Sequence, residues 1–386
     1  GPTVFRRPIP VPSTVPTRTA RGLRQIVAAA VAATCLAACV ATQERAADHY
    51  QATDFARVRK FDAHVHANVA SPEILEVARE DGFELLSINV DYPDFPPLAE
   101  QAAVARTLSQ ADPVRFHYAT TFAMTGWGQP DWAARVNRQI DAAVAQGALA
   151  VKVWKNIGMD VRGADGRLVM IDDPAFDPVL EHVRALGLPL IGHQGEPYNC
   201  WLPLEQMSTE NDRSYFREHP QYHMYLHPEL PSYEDQMAAR DRMLARHPRL
   251  DFIGAHMASL EWNVDRLAAF LDAHPRAVVD LAARMTQVQA QSLQDRDKVR
   301  RFFIRYQDRL LYGSDLTFAP EGAPGTFRSD AHATWTSDWT YLATGEVQHV
   351  DALTADVPGL QLPRAVIDRI YLANARRLLL ERHPAR

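Results

Sequence analysis

The chain has 386 residues and only three cysteines, Cys35, Cys39 and Cys200, with no CxxC pair. That excludes a disulfide framework and a thiolate-built zinc site. No basic stripe or RNA-type aromatic motif breaks up its mixed charges, which sum formally to -6. Nucleic acid is therefore not an expected partner. No apolar run reaches the roughly 20 residues of a membrane-spanning helix. No GxGxxG follows the first strand-like run, which argues against a dinucleotide-binding, doubly wound sheet. No internal repeat is evident.

What is present is a globular balance, 47% apolar and 23% charged, typical of a soluble enzyme. Residues 1–40 read apart from the rest. Gly1-Pro2 looks like the scar of a cleaved tag, and residues 3–20 are rich in Pro, Thr and Arg. Arg21 and Arg24 then precede an apolar run from Ile26 to Cys39, the length of a signal-peptide core. Its end, Leu36-Ala37-Ala38-Cys39, resembles the lipobox of bacterial lipoproteins. That resemblance implies export to the periplasm and membrane attachment through a lipidated Cys39. A plain secretory signal is the alternative. Residues 41–56 read as a tether and 57–386 as the folded domain.

Within that domain strand and helix patterns alternate. Strands are expected at 58–67, 83–90, 114–122, 148–154, 188–193, 250–256, 277–283 and 309–315. Helices are expected at 71–81, 97–110, 130–146, 173–186, 232–247, 263–273, 292–306 and 363–381. Ser71-Pro72 and Ser232 with Asp235 mark helix starts. Near-continuous apolar strands argue for a parallel sheet covered by helices. Eight strand–helix pairs are what closes a (β/α)₈ TIM barrel. Two long stretches, 194–232 and 316–345, have no clear period and are expected as active-site loops after strands 5 and 8.

In such a barrel the chemistry sits at the C-terminal strand ends. Those ends carry His64 and His66, Lys152, His193, His256 and Asp315. Residues two apart on a strand share a face, so His64 and His66 point together. Imidazoles with a carboxylate suit Zn²⁺, and Mn²⁺ or Fe²⁺ with less preference. Asp62 precedes the pair by two residues and is expected to orient one imidazole, or else to be a rim carboxylate. Lys152 and Lys155 lie three apart, so only one of them is expected to face inward.

The stretch 194–232 is rich in Trp, Tyr and His and reads as a lid or pocket wall. Glu196, Tyr198, Trp201 and Tyr225 are its pocket candidates. His223 and His227, at helical ligand spacing, read as packing or substrate-contact groups. Arg284 is a candidate carboxylate clamp, or an ordinary surface ion pair. Phe318, Phe327, Trp335 and Trp339 suggest an apolar or ring-shaped substrate, or packing of their loop.

"FDAHVHA", "LPLIGHQGEP", "FIGAHMASLEW" and "LLYGSDLTF" resemble the amidohydrolase superfamily across nearly all of 57–381. "AVKVWKN…DDPAFDPVLEHVRALGLPLIGHQGEP" resembles its amidohydrolase-related branch. That branch includes aminocarboxymuconate-semialdehyde and resorcylate decarboxylases and pyrone-dicarboxylate lactonase. The resemblance implies His64, His66, His193 and Asp315 as ligands of one divalent metal, which lowers the pKa of bound water. It implies Asp315 as proton acceptor and His256 as an acid or polarising group, or as ligand to a second metal. Lys152 or Lys155 would be a polar or substrate-facing group. In some members a carbamylated lysine at the position of Lys152 bridges two metals. Homodimers are frequent in the branch.

The expected reaction is hydrolysis of an ester, lactone or amide in a small carboxylated or cyclic substrate. Nonoxidative decarboxylation of an aromatic or unsaturated acid is the alternative on the same residues. A non-catalytic, metal-stabilised binding lipoprotein is the third.

Overall fold

The apolar runs pair with one another, and every pairing in the main sheet is parallel. The computed structural model describes residues 48–323 and 325–381, so the lipobox expectation at Cys39 lies outside the described residues. From His49 onward the described residues form one unit.

Its strands are β1 (Lys60–Ala67), β2 (Phe83–Ile88), β3 (Phe116–Thr121), β4 (Val151–Val153), β5 (Leu190–Gly192) and β6 (Phe252–Gly254). Then follow β7 (Ala277–Asp280), β8 (Leu310–Leu311) and β9 (Leu316–Phe318). The order is β8-β7-β6-β5-β4-β3-β2-β1-β9. This is a curled parallel sheet, a half-barrel in its ladder and consistent with a TIM-like barrel. Parallel neighbours need a long crossover, which helices such as Glu73–Asp81 and Trp132–Ala145 supply.

Of the expected eighth strand, 309–315, only Leu310–Leu311 forms a ladder, on β7; β9 begins just beyond Asp315 and pairs with β1. The break falls where Asp315 adopts a left-handed backbone, φ 71°, which no strand can continue through. Across it, Ala63 N donates to Tyr312 O at 2.9 Å and Asp315 N to His64 O at 2.7 Å.

Both sheet faces are buried, as the unbroken apolar runs require. Phe61, Leu86, Ile191, Ile253 and Leu311 form a separate cluster capped by Ala375 and Leu379 of the C-terminal helix. The opposite face, with Leu85, Val151, Leu190 and Val279, joins the larger core beneath the helices. Each such side chain contributes roughly 1.5–3 kcal/mol by leaving water.

The stretch 316–345 is not a loop. It contains β9 and the helix Thr326–Ala343, whose aromatics pack inward. Trp335 stacks on Phe83 at 4.2 Å and Phe318 on Phe327 at 4.5 Å. Trp339 is fully buried against Phe55 and Tyr371. These four residues therefore build core, not a substrate wall.

The stretch 194–232 is organised by the helix Glu210–Glu218, short 3₁₀ turns and a small core of Cys200, Met207, Phe216 and Met224. The helix expected from 292 starts at Met285, with a kink at Asp295. An unexpected antiparallel ribbon pairs β10 (Val347–Val350) with β11 (Ala355–Pro358). Among the described residues no helix is long and apolar enough to cross a membrane.

Candidate metal centre

His64 and His66 lie on β1, and their rings sit 5.1 Å apart. His64 Nδ1 is 2.8 Å from Asp280 Oδ2, a contact that fixes its proton on Nδ1. Its Nε2 has no hydrogen-bond partner and lies 3.3 Å from Asp315 Oδ1. His66 Nδ1 donates to the Ile88 carbonyl at 2.8 Å, and its Nε2 lies 3.0 Å from the same Asp315 oxygen. With both Nδ1 protons committed, two imidazole lone pairs and a carboxylate face one another. Three acceptors converging there form a candidate seat for a cation. The ligand atoms of His64, His66 and Asp315 all lie within 4.8 Å of one another. Asp315 alone of the three opens outward, its side chain 30% exposed.

His256 follows β6 and His193 follows β5. Their rings are 4.4 Å apart, and His256 is 4.8 Å from His64. His256 Nδ1 donates to Ala282 O at 2.8 Å, so its Nε2 also carries a lone pair. His193 Nε2 is buried without a hydrogen bond, 3.7 Å from Glu196 Oε1. It stands beside the cluster but outside the tight group of His64, His66 and Asp315. Burial lowers the pKa of His64 and His256, and brings that of His193 to about 3. These imidazoles are neutral at pH 7, the form that ligates metal. Asp315 faces them as a carboxylate, its pKa well below the ordinary value.

Asp280, the last residue of β7, ties the cluster together, and sequence reasoning missed it. One oxygen takes His64 Nδ1; the other accepts from His256 N at 2.9 Å and Ala282 N at 3.1 Å. His64, His256 and Asp280 also form a close group. With its oxygens so occupied, Asp280 acts there as a scaffold. The signal was a carboxylate ending the apolar run "AVVD".

The backbone supports the same residues under strain. His256, Met257, Ala258 and Ser259 all have left-handed φ near 55°, each costing roughly 1–2 kcal/mol. The turn persists because it is held at several points. Besides Asp280, Ser259 Oγ donates to Gln194 O at 2.9 Å and Tyr233 Oη to Ser259 O at 2.5 Å. Gly192 seats β5 beside this turn, since a Cβ there would meet the Phe252 ring at 2.4 Å.

Several expectations change. Asp62 touches no imidazole ring. A bulge in β1 between Asp62 and Val65 breaks the alternation that put it on the histidine face. It accepts instead from Ser314 N at 3.0 Å and Trp335 Nε1 at 2.8 Å. Strand alternation does not relate Lys152 to Lys155, because β4 ends at Val153 and Lys155 lies beyond it. Lys152 is buried with Asp280 and Asp315 as its charged neighbours, and burial lowers its pKa to about 8. Lys155 Nζ donates to Glu196 Oε1 at 2.7 Å.

Arg284 is not a surface pair. It is buried, with Nε 3.2 Å from Glu261 Oε1 and Nη1 2.8 Å from Ala283 O. Tyr198 stacks on Trp262 at 4.1 Å, and Trp201 packs on Tyr233 at 5.6 Å. Tyr225 is 51% exposed. These three are engaged in packing or solvent rather than drawn into the imidazole cluster. His223 and His227 donate to the carbonyls of Leu202 and Pro220 at 2.7 and 3.0 Å, in keeping with packing.

Fold and site together define a class: α/β proteins with a histidine–aspartate cluster at the C-terminal ends of a curled parallel sheet. The sequence profile of the amidohydrolase family matches residues 117–380, more than half of the chain. The protein belongs to the amidohydrolase family. His64 and His66 precede the matched region. No curated protein sequence matches the chain.

Among solved structures, one described as amidohydrolase II is 18% identical, with a TM-score of 0.47, covering 83% of this chain and 99% of that one. The 4-oxalomesaconate hydratase of Rhodopseudomonas palustris is 14% identical, with a TM-score of 0.44, covering 84% and 96%.

Proposed function

We propose that the protein is a metal-dependent hydrolase of an ester, lactone or amide, with its site at the mouth of a (β/α)₈ barrel. The observation that carries this is the convergence of the His64 and His66 Nε2 lone pairs on the Asp315 carboxylate. His64, His66 and Asp315 would hold one divalent ion, Zn²⁺ being the best match to nitrogen and oxygen ligands. His193, its ring 4.4 Å from that of His256, is the further ligand of the set. Such an ion supplies Lewis acidity and makes water acidic near neutral pH.

The chain's own groups do the rest. Asp315, anionic and partly exposed, takes the proton of the attacking water and passes it to the leaving group. His256 presents a lone pair, so it acts first as an acceptor or ligand and donates only after gaining a proton. Asp280 holds the His64 tautomer throughout. Lys152, Lys155 and Arg284 are each already close to carboxylates, which supports hydrolysis over decarboxylation of an anionic acid.

Export is part of the proposal and rests on residues 21–39.

The test is hydrolysis of 2-naphthyl acetate by chain stripped with a chelator, then reloaded with Zn²⁺ or Mn²⁺. Activity should vanish on stripping and return on reloading. Hydrolysis that survives stripping, or carbon dioxide release from aryl acids without ester cleavage, would overturn the reading.

A further inference from the structure

Glu196 joins the imidazole cluster to a cavity of about 380 Å³. That is the size of a small-molecule site. Its walls are rings and thioethers: Tyr92, Trp154, Tyr215, Tyr222, Met159 and Met224. Tyr92 and Trp154 also border a neighbouring cavity of about 610 Å³, which includes Phe95. The Phe95 ring lies 5.2 Å from His66 and 5.1 Å from Tyr92, and Tyr92 lies 4.7 Å from Trp154. An aromatic wall thus leads from the His66 ring into the cavity.

The charges there are committed. Among the residues lining the two cavities Lys155 is the one cation, and Glu196 takes it at 2.7 Å. Asp91 and Asp160 add negative charge to the same walls. Nearer the imidazoles, Arg284 is paired with Glu261, and Lys152 faces Asp280 and Asp315. A carboxylate entering this cavity would lose its water and meet carboxylates, with no unpaired cation to receive it. A neutral ring would lose only apolar contact with water and gain stacking partners.

Resting on the hydrolase reading, we infer that this cavity holds an uncharged planar ring of the substrate and discriminates against a carboxylated one. Of the two substrate types expected from sequence, carboxylated or cyclic, the wall chemistry selects the cyclic.

2-Naphthol and naphthalene-2-sulfonate share a ring system and differ in charge, and sulfonate coordinates metal ions weakly. Both are titrated calorimetrically into the full chain loaded with Zn²⁺. The naphthol should bind about tenfold tighter or better. Trp154→Ala and Tyr215→Ala should each weaken it about threefold to tenfold and leave the sulfonate unchanged. Tyr215 is 41% exposed, so its replacement keeps the fold even if Trp154→Ala does not. Equal or tighter binding of the sulfonate overturns the inference, as does naphthol binding unchanged in the folded variants. Naphthol binding without naphthyl acetate hydrolysis removes the hydrolase reading and keeps the cavity. Hydrolysis with no preference for the neutral ring does the reverse.

Discussion

Replacing Asp315 with Asn is expected to lower ester turnover by about 10³-fold while the fold persists. The amide keeps the size of the carboxylate but loses both its charge and its capacity to take a proton. Asp315 is the one residue of the tight group that is partly exposed, so its loss falls on chemistry more than on packing. Its left-handed φ of 71° also favours this substitution, since Asn tolerates that conformation better than other non-glycine residues. Circular dichroism and thermal melting should therefore match the parent. A variant retaining more than about a tenth of the parental turnover would remove Asp315 from the role of proton acceptor.

Asp280→Asn is expected to weaken metal binding about 10- to 100-fold, through a residue that is not itself a ligand. The Asp280 oxygen that accepts from His256 N and Ala282 N can be reproduced by the Asn carbonyl. The other oxygen becomes an amino group facing His64 Nδ1. Two donors cannot meet, so His64 must move its proton to Nε2. That places a hydrogen where the lone pair was aimed at Asp315. The left-handed turn from His256 keeps its anchor, so the structure survives while the ligand set fails. Competition with a chromogenic chelator reads the affinity directly. Unchanged affinity would mean that Asp280 serves the turn alone.

The two predictions differ in how visible their residues were. Asp315 lay at the end of an apolar strand and inside a resemblance, and both routes led to it. The same logic found His64, His66, His193 and His256, because neutral imidazoles at strand ends are conspicuous in sequence. Asp280 ends an equally apolar strand, yet it was read as strand interior, since the expected strand ran on to 283. Its partner is 216 residues away, and no local pattern shows such a contact.

The helix Thr326–Ala343 escaped for a different reason. Its Phe327, Ala331, Trp335 and Trp339 are buried at four-residue spacing opposite exposed Ser329, Asp330 and Ser337, a helical stripe that the aromatic content of the stretch masked. Its Thr, Ser and Trp content also favours helix only weakly. The strand alternation that relates Lys152 to Lys155 stops at Val153, two residues before Lys155. The left-handed turn at His256 has no glycine to announce it. Its cause is a set of tertiary contacts to Asp280, Gln194 and Tyr233.

The central claim is that His64, His66 and Asp315 form the seat of one divalent ion. X-ray absorption on the Zn²⁺-loaded chain, with the metal counted per protein, tests it most directly. The account predicts one ion, with nitrogen and oxygen neighbours at about 2.0–2.2 Å, imidazole scattering and no sulfur shell. A sulfur neighbour at about 2.3 Å, or a chain that keeps no ion at all, would contradict it.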